Sequence, residues 1–500
     1  MKRPRITLTL TLTLLGCAVV PTLWAGPSVA DSPTPPSPPP ASDTAAIPSA
    51  SASSTDGALA RAEERTLLKP DSPDAWVALG NAWMQKSRDL GNGVGYARAD
   101  AAFRKALAAD PANVPAMLGL AWVANSRHAF DEGNRWANKA IELDPGQPDA
   151  YALLGDAAVE LGDYAGAFEH YQTCLDLRPD LSSYSRSAHL LFVTGDPRRA
   201  QLLMRQAISA GGPYPENAAW CRAQLALMQF QTGALVLAEK TLQEARQIAP
   251  HNPHVLAACG KLKLARGKYE DAARDLEEAT ATAPQHDALS DLALAYRLAG
   301  NAARAEATAG RIRSFHHPEP EAHSHPHPHP HPQPHDQDHG HDHGHGHDHG
   351  EGNADWALHL ADHGGDLDEA LREAEAAYKT SKSVHTTDAL AWCRYRKGQL
   401  EEARKLIHKA LRWKTPDALL LFHAGMIHAK LGEFPTARKY LYQALSLNPQ
   451  FHPTHAVQAA DTIRELAGRE STPSNPSDSP ARSRSASRAV TSEGPVLLAR

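Results

Sequence analysis

Residues 150–179 read AYALLGDAAVELGDYAGAFEHYQTCLDLRP. Apolar residues recur at helical spacing on both sides of Gly162, which predicts two short helices that bury one stripe each. Glycine ends the first helix in a left-handed turn, and Pro179 stops the second because the residue before a proline is driven out of helical geometry. Neither helix can cover its own apolar face, so this unit needs neighbours.

The neighbours are present in the sequence. Turn glycines fall at Gly162, Gly195, Gly233, Gly267 and Gly300, and again at Gly365, Gly398 and Gly432, mostly 33 or 34 residues apart. Five residues after each comes an alanine: Ala167, Ala200, Ala238, Ala272, Ala305, Ala370, Ala403 and Ala437. A second small residue often follows seven further on, as at Ala207, Ala245, Ala279, Ala377, Ala410 and Ala444. Many units close on proline, at Pro111, Pro145, Pro179, Pro250, Pro284 and Pro449.

This pattern resembles the tetratricopeptide repeat (TPR) family, whose units carry W-x2-L-G-x2-Y, then A-x3-F, then P. The opening stretch supplies Tyr151, Leu154, Gly155, Ala167, Tyr171 and Pro179 at matching spacing, and DAWVALGNAW supplies Trp76, Leu79, Gly80 and Trp83. The resemblance implies an all-α fold, a helix-turn-helix solenoid wound as a right-handed superhelix of about ten repeats. It also implies a concave inner surface that binds a protein or peptide. The last units, with LADHGG, HAGMIHAKLGE and LNPQFHPTH, look like the closing repeats of bacterial TPR proteins, which implies a scaffold without an enzyme activity.

The step from Gly300 to Gly365 is 65 residues, one repeat plus about 31. The expected organisation is therefore about seven repeats over residues 58–315, a His-rich low-complexity loop over 316–353, and about three more repeats over 354–466. One stack interrupted by an excursion and two separately folded blocks both fit this spacing, since long loops add little closure entropy. Smaller insertions are SRDLGNGVGYA in the first unit and GGPYPEN at 211–217. Gly91, Gly93 and Gly95 are not followed by the Lys-Ser or Lys-Thr of a phosphate loop, so a lengthened helix connection is the expectation there.

Both ends differ in composition. Lys2, Arg3 and Arg5 precede an apolar run from Ile6 to Val20, the order of a secretory signal over residues 1–30. Cleavage after Ala30, at SVA, and lipidation at Cys17, at LLGC, are the two processing routes; they make the chain periplasmic or secreted, or a membrane-anchored lipoprotein. Residues 31–57 and 467–500 are rich in Ser, Pro and Ala and cannot bury enough apolar surface to fold, so they read as linker and tail. No segment after the signal reaches the ~18 apolar residues of a membrane helix. A net charge of −6 over 500 residues provides no field for nucleic acid. Cys174, Cys221, Cys259 and Cys393 are widely spaced within apolar helical patterns and read as small buried thiols.

The chemistry is concentrated in one place. Residues 323–350, HSHPHPHPHPQPHDQDHGHDHGHGHDHG, lie within a tract holding fourteen of the 28 histidines: His316, His317, His323, His325, His327, His329, His331, His335, His339, His341, His343, His345, His347 and His349. In the His-Pro run, polyproline geometry of about 3.1 Å per residue sets alternate imidazoles roughly 6 Å apart. In the His-Gly run the backbone is free to wrap several imidazoles around one ion. Imidazole suits Ni, Zn, Co and Cu, and a tract without fixed geometry follows the Irving-Williams order, which predicts several poorly selective sites and no obligatory cofactor. Glu319, Glu321, Asp336, Asp338, Asp342 and Asp348 make the tract anionic when its histidines are neutral and cationic when they are protonated. Its composition is similar to the His-rich segments of nickel-delivery proteins and zinc transporter loops, which implies a metal-delivery accessory protein as the alternative to a plain scaffold.

One ordered metal candidate is His359, Asp362 and His363, whose i, i+3, i+4 spacing shares a helix face. His423 and His428 read as packing or surface histidines. No HExxH, GxSxG or paired-carboxylate constellation points to catalysis.

Overall fold

The computed structural model describes residues 50–90, 95–211, 215–316 and 353–471. Among them there are 22 helices and no strand. Helix α1 (Ala50–Leu68) starts inside the stretch read as linker and packs on α2. Seven helix pairs follow: α2 (Pro73–Leu90) with α3 (Tyr96–Ala109), α4 (Val114–Ser126) with α5 (Phe130–Leu143), α6 (Pro148–Glu160) with α7 (Tyr164–Leu177), α8 (Leu181–Val193) with α9 (Pro197–Ala210), α10 (Pro215–Gln231) with α11 (Leu235–Ile248), α12 (Pro253–Ala265) with α13 (Tyr269–Thr282), and α14 (His286–Leu298) with α15 (Ala302–His316). Three more come after the His-rich tract: α16 (Ala354–His363) with α17 (Leu367–Thr380), α18 (Val384–Arg396) with α19 (Leu400–Leu411), and α20 (Ala418–Lys430) with α21 (Phe434–Leu447). Helix α22 (His455–Ser471) packs on α20 and α21. Ala30, Cys17, the tract from His317 to His349 and the tail beyond Ser471 lie outside the described residues.

The small residues allow the helices of each pair to approach. Ala167, Ala200, Ala238, Ala272, Ala370, Ala403 and Ala437 are fully buried where the second helix crosses the first. Gly155 lies under Tyr171, and a Cβ there would sit 2.2 Å from the ring, so this contact requires glycine. The four cysteines are buried free thiols, and burial pushes Cys221 up to about 12 and Cys174 to about 11.

The turn glycines have positive φ as expected, with one correction. At 364–365 the left-handed residue is Gly364 (φ 76°), not Gly365. Helix α16 stops at His363, the Gly364 and Gly365 amides both donate to the Leu360 carbonyl, and Gly365 is an extra residue before the Asp366 cap.

The stack continues across the His-rich tract. Leu289 of α14 and Ile312 of α15 share a core with Trp356, Ala357, Leu360 and Ala361 of α16. The solenoid also returns onto itself. The turns at Gly162, Gly195 and Gly233 lie against the connections that hold Lys382, Lys414 and Asn448, respectively. The Lys382 amide donates to the Glu160 carbonyl at 2.6 Å, the Val384 amide donates to Tyr164 Oη at 2.9 Å, and Thr415 Oγ1 donates to the Val193 carbonyl at 2.5 Å. An apolar cluster joins Val159, Tyr164 and Leu190 to Val384, Ile407, Leu420 and Ile427. The third to fifth pairs therefore form a seam with the eighth to tenth, one superhelical turn later.

Candidate functional site

The seam converts the inner face of the solenoid into a channel. A cavity of about 680 Å³ is lined by Glu160 of α6, His189 of α8, Gln224 of α10, Lys261 of α12, Asp355 of α16, His385 of α18 and Asp417 at the start of α20. These side chains come from the first helix of successive pairs, because the alanine-rich stripes commit the opposite faces to packing. Leu227, Phe230, Leu358, Leu420 and Phe451 provide apolar wall between the polar groups.

Its electrostatics are set by pairs. His385 Nε2 lies 2.9 Å from Asp355 Oδ1 while both side chains stay open to the channel. Enclosure by the helices disfavours the imidazolium, yet the charge and hydrogen bond of Asp355 outweigh it and lift His385 to about 9. Burial alone would raise the Asp355 carboxyl; His385 holds it below the usual range. Lys261 Nζ sits 2.8 Å from Asp291. Asp417 caps α20 through the Leu419 and Leu420 amides, and burial together with the neighbouring Asp388 charge raises its pKa.

His359, Asp362 and His363 do share α16, but each is committed elsewhere. His359 is buried and stacks on Trp356 with ring centroids 5.5 Å apart, and its Nδ1 has no hydrogen-bond partner. Asp362 accepts from Trp392 Nε1 at 2.7 Å. His363 Nδ1 faces a guanidinium nitrogen of Arg297 at 2.8 Å. Among the described residues no group of three or more His, Cys, Asp or Glu is arranged to hold a metal ion. Desolvation first, then the His363 and Arg297 charges, push His359 down to about 3.

Of the packing and surface readings, packing holds: His423 and His428 are fully buried. His423 Nδ1 is 3.0 Å from both oxygens of Asp388, and Trp392 stacks on its ring at 4.1 Å. His428 pairs with Glu433. The sequence reading also missed Asp355–His385: the partners are 30 residues apart on consecutive first helices, a spacing that becomes visible only once the repeat register is drawn.

A stack of paired antiparallel helices with a channel on the inner face defines a helical-repeat interaction protein. Family models described as tetratricopeptide repeat match residues 148–181, and also 89–148, 186–253, 259–313 and 389–450. Together they span more than half of the chain, which belongs to the tetratricopeptide repeat family. It is 26% identical over 211 residues to the Protein CTR9 homolog of Arabidopsis thaliana (40% of this chain, 18% of that protein). It is 28% identical over 203 residues to the Cellulose synthase 2 operon protein C of Komagataeibacter xylinus (37% and 15%). The chain thus spans less than a fifth of the length of these curated relatives. Among solved structures, a tetratricopeptide repeat protein from Parabacteroides merdae aligns at 16% identity and TM-score 0.38, covering 49% of this chain and 93% of that one. A monomeric mutant of IFIT1 with Gppp-AAAA aligns at 18% identity and TM-score 0.35, covering 79% and 76%.

Proposed function

We propose that this protein is an exported scaffold that holds a segment of a partner protein in the inner channel. The repeat family is one of protein-interaction scaffolds, and the observation that carries the finer reading is the channel itself. Its wall carries both polar and apolar side chains, most of them from the first helices of several pairs, which suits an extended or helical peptide. The test places a photo-crosslinking residue at Gln224, in the channel, or at Gln243, exposed on α11. The same partner should be captured from Gln224 and not from Gln243. Equal capture from both positions would sink the channel reading.

The alternative is a metal-binding or metal-delivery accessory protein for Ni, Zn, Co or Cu, acting with a transporter or metalloenzyme. It is favoured by the fourteen histidines between His316 and His349. Deleting residues 316–350 separates the two, since a scaffold keeps its partner and a delivery protein loses its metal-dependent role. The signal-like start at Lys2 to Val20 favours export, with Cys17 as the lipid anchor if the second processing route is used.

A further inference from the structure

Away from the channel, the C-terminal ends of α14, α16 and α18 meet the first turn of α22 around a second cavity of about 470 Å³, within the size range of small-molecule sites. One wall is apolar and aromatic: Leu294, Leu298 and Trp392, with Tyr395 stacked on Trp392 at 4.7 Å. The other wall is cationic. Arg297 and Arg396 both reach it, and the sole carboxylate among the lining residues is Asp362.

That carboxylate is already engaged. Asp362 accepts the Trp392 indole N–H at 2.7 Å and stands 3.8 Å from Arg396 and 3.7 Å from His455 Nε2, while among the described residues Arg297 meets the ring nitrogen of His363. Two guanidiniums therefore line a cavity with one carboxylate, and of the two it is Arg396 that stands near it. His455, 8% exposed, also lines the cavity, and its Nδ1 has no hydrogen-bond partner. Desolvation is the main cause that depresses His363 and takes His455 to about 4; the Arg297 charge adds to it at His363, and Asp362 opposes it at both.

We propose that this cavity binds an organic carboxylate with an aromatic or branched apolar body. Arg297 and Arg396 would take the carboxylate, and the body would lie along Trp392, Tyr395 and Leu294. A guanidinium pairs with a carboxylate through two parallel hydrogen bonds, a geometry that a neutral amide cannot reproduce. This inference stands independently of the channel, because none of its lining residues is shared with it.

The experiment is calorimetric titration of the full chain with N-acetylphenylalanine, its amide, and a pentapeptide ending in free phenylalanine. The acid should bind at least about tenfold more tightly than the amide. That preference should vanish in the double variant Arg297→Gln, Arg396→Gln and persist in Arg396→Lys, which keeps a charge. Circular dichroism checks that each variant is folded. Tighter binding of the pentapeptide than of N-acetylphenylalanine identifies a chain terminus as the natural source of the carboxylate; the reverse order identifies a free acid. Equal binding of acid and amide, no binding of either, or an unchanged double variant overturns the proposal.

Discussion

Asn448 Nδ2 donates to the carbonyl oxygen of Phe230 at 2.8 Å, across 218 residues of chain, with Asn448 completely buried. Phe230 closes the first helix of the fifth pair and Asn448 follows the second helix of the tenth, so this one bond ties successive superhelical turns together. Alongside it, Gly233 (φ 77°) comes within reach of Leu447: a Cβ there would lie 2.3 Å from its carbonyl oxygen.

Asn448→Leu should remove one of the two donors to the Phe230 carbonyl, which keeps the Gly233 amide at 2.9 Å, and cost about 0.5–1.5 kcal/mol. Gly233→Ala combines left-handed strain of about 1–2 kcal/mol with that clash. Both should raise the radius of gyration in small-angle scattering and speed hydrogen exchange in α6, α8 and α18. Gly432→Ala, where the glycine has positive φ (80°) but open space around it, should cost stability without expanding the solenoid.

The Asp355–His385 pair should make stability fall on the alkaline side. His385 titrates near 6.5 when unfolded and near 9 when folded, so its contribution is complete below about pH 6.5 and is lost as pH rises through about 9. Asp355→Asn should bring the His385 titration, followed by NMR, back toward the ordinary range. A titration that stays near 9 would place the cause elsewhere.

Buried neutral histidines should make the C-terminal repeats acid-labile. His359 titrates at about 3 and His455 at about 4 in the fold, against about 6.5 unfolded, so the unfolded chain takes up protons first as pH falls. Stability should drop below about pH 6.5, by at most about 1.4 kcal/mol per pH unit per histidine, until the folded groups titrate in turn. Denaturant midpoints at pH 7 and pH 4.5 measure this, and His455→Phe, which can keep the stack on Phe422, should flatten the slope.

Titration with Ni(II) or Zn(II) at neutral pH should show several weak to moderate sites that disappear when residues 316–350 are deleted. Uptake should also collapse below about pH 6, because the ligand is the neutral imidazole. Full uptake by the deletion variant would move the binding to the ordered repeats, where no such group stands among the described residues.

The repeat was legible because its determinants are local. Glycine at the turns, alanine at the helix crossings and proline after the second helix act within a few residues, and each recurs at a fixed period. Even the error at Gly365 is a one-residue matter of which glycine of a pair takes positive φ. The metal candidate on α16 shows where local reading ends. Helical spacing brings the His359 and His363 rings to 4.7 Å, while Trp356, Trp392 and Arg297, brought up by packing, engage His359, Asp362 and His363 respectively.

From sequence alone came an all-α repeat of about ten units, broken once by a tract with fourteen histidines between His316 and His349. Tertiary structure decided that the stack runs on through that excursion, that the third to fifth pairs meet the eighth to tenth, and that the inner face therefore closes into a channel. Superhelical closure depends on small rotations accumulated over many repeats. Contacts such as Asn448 with Phe230 are consequences of that sum and leave no local pattern in the chain.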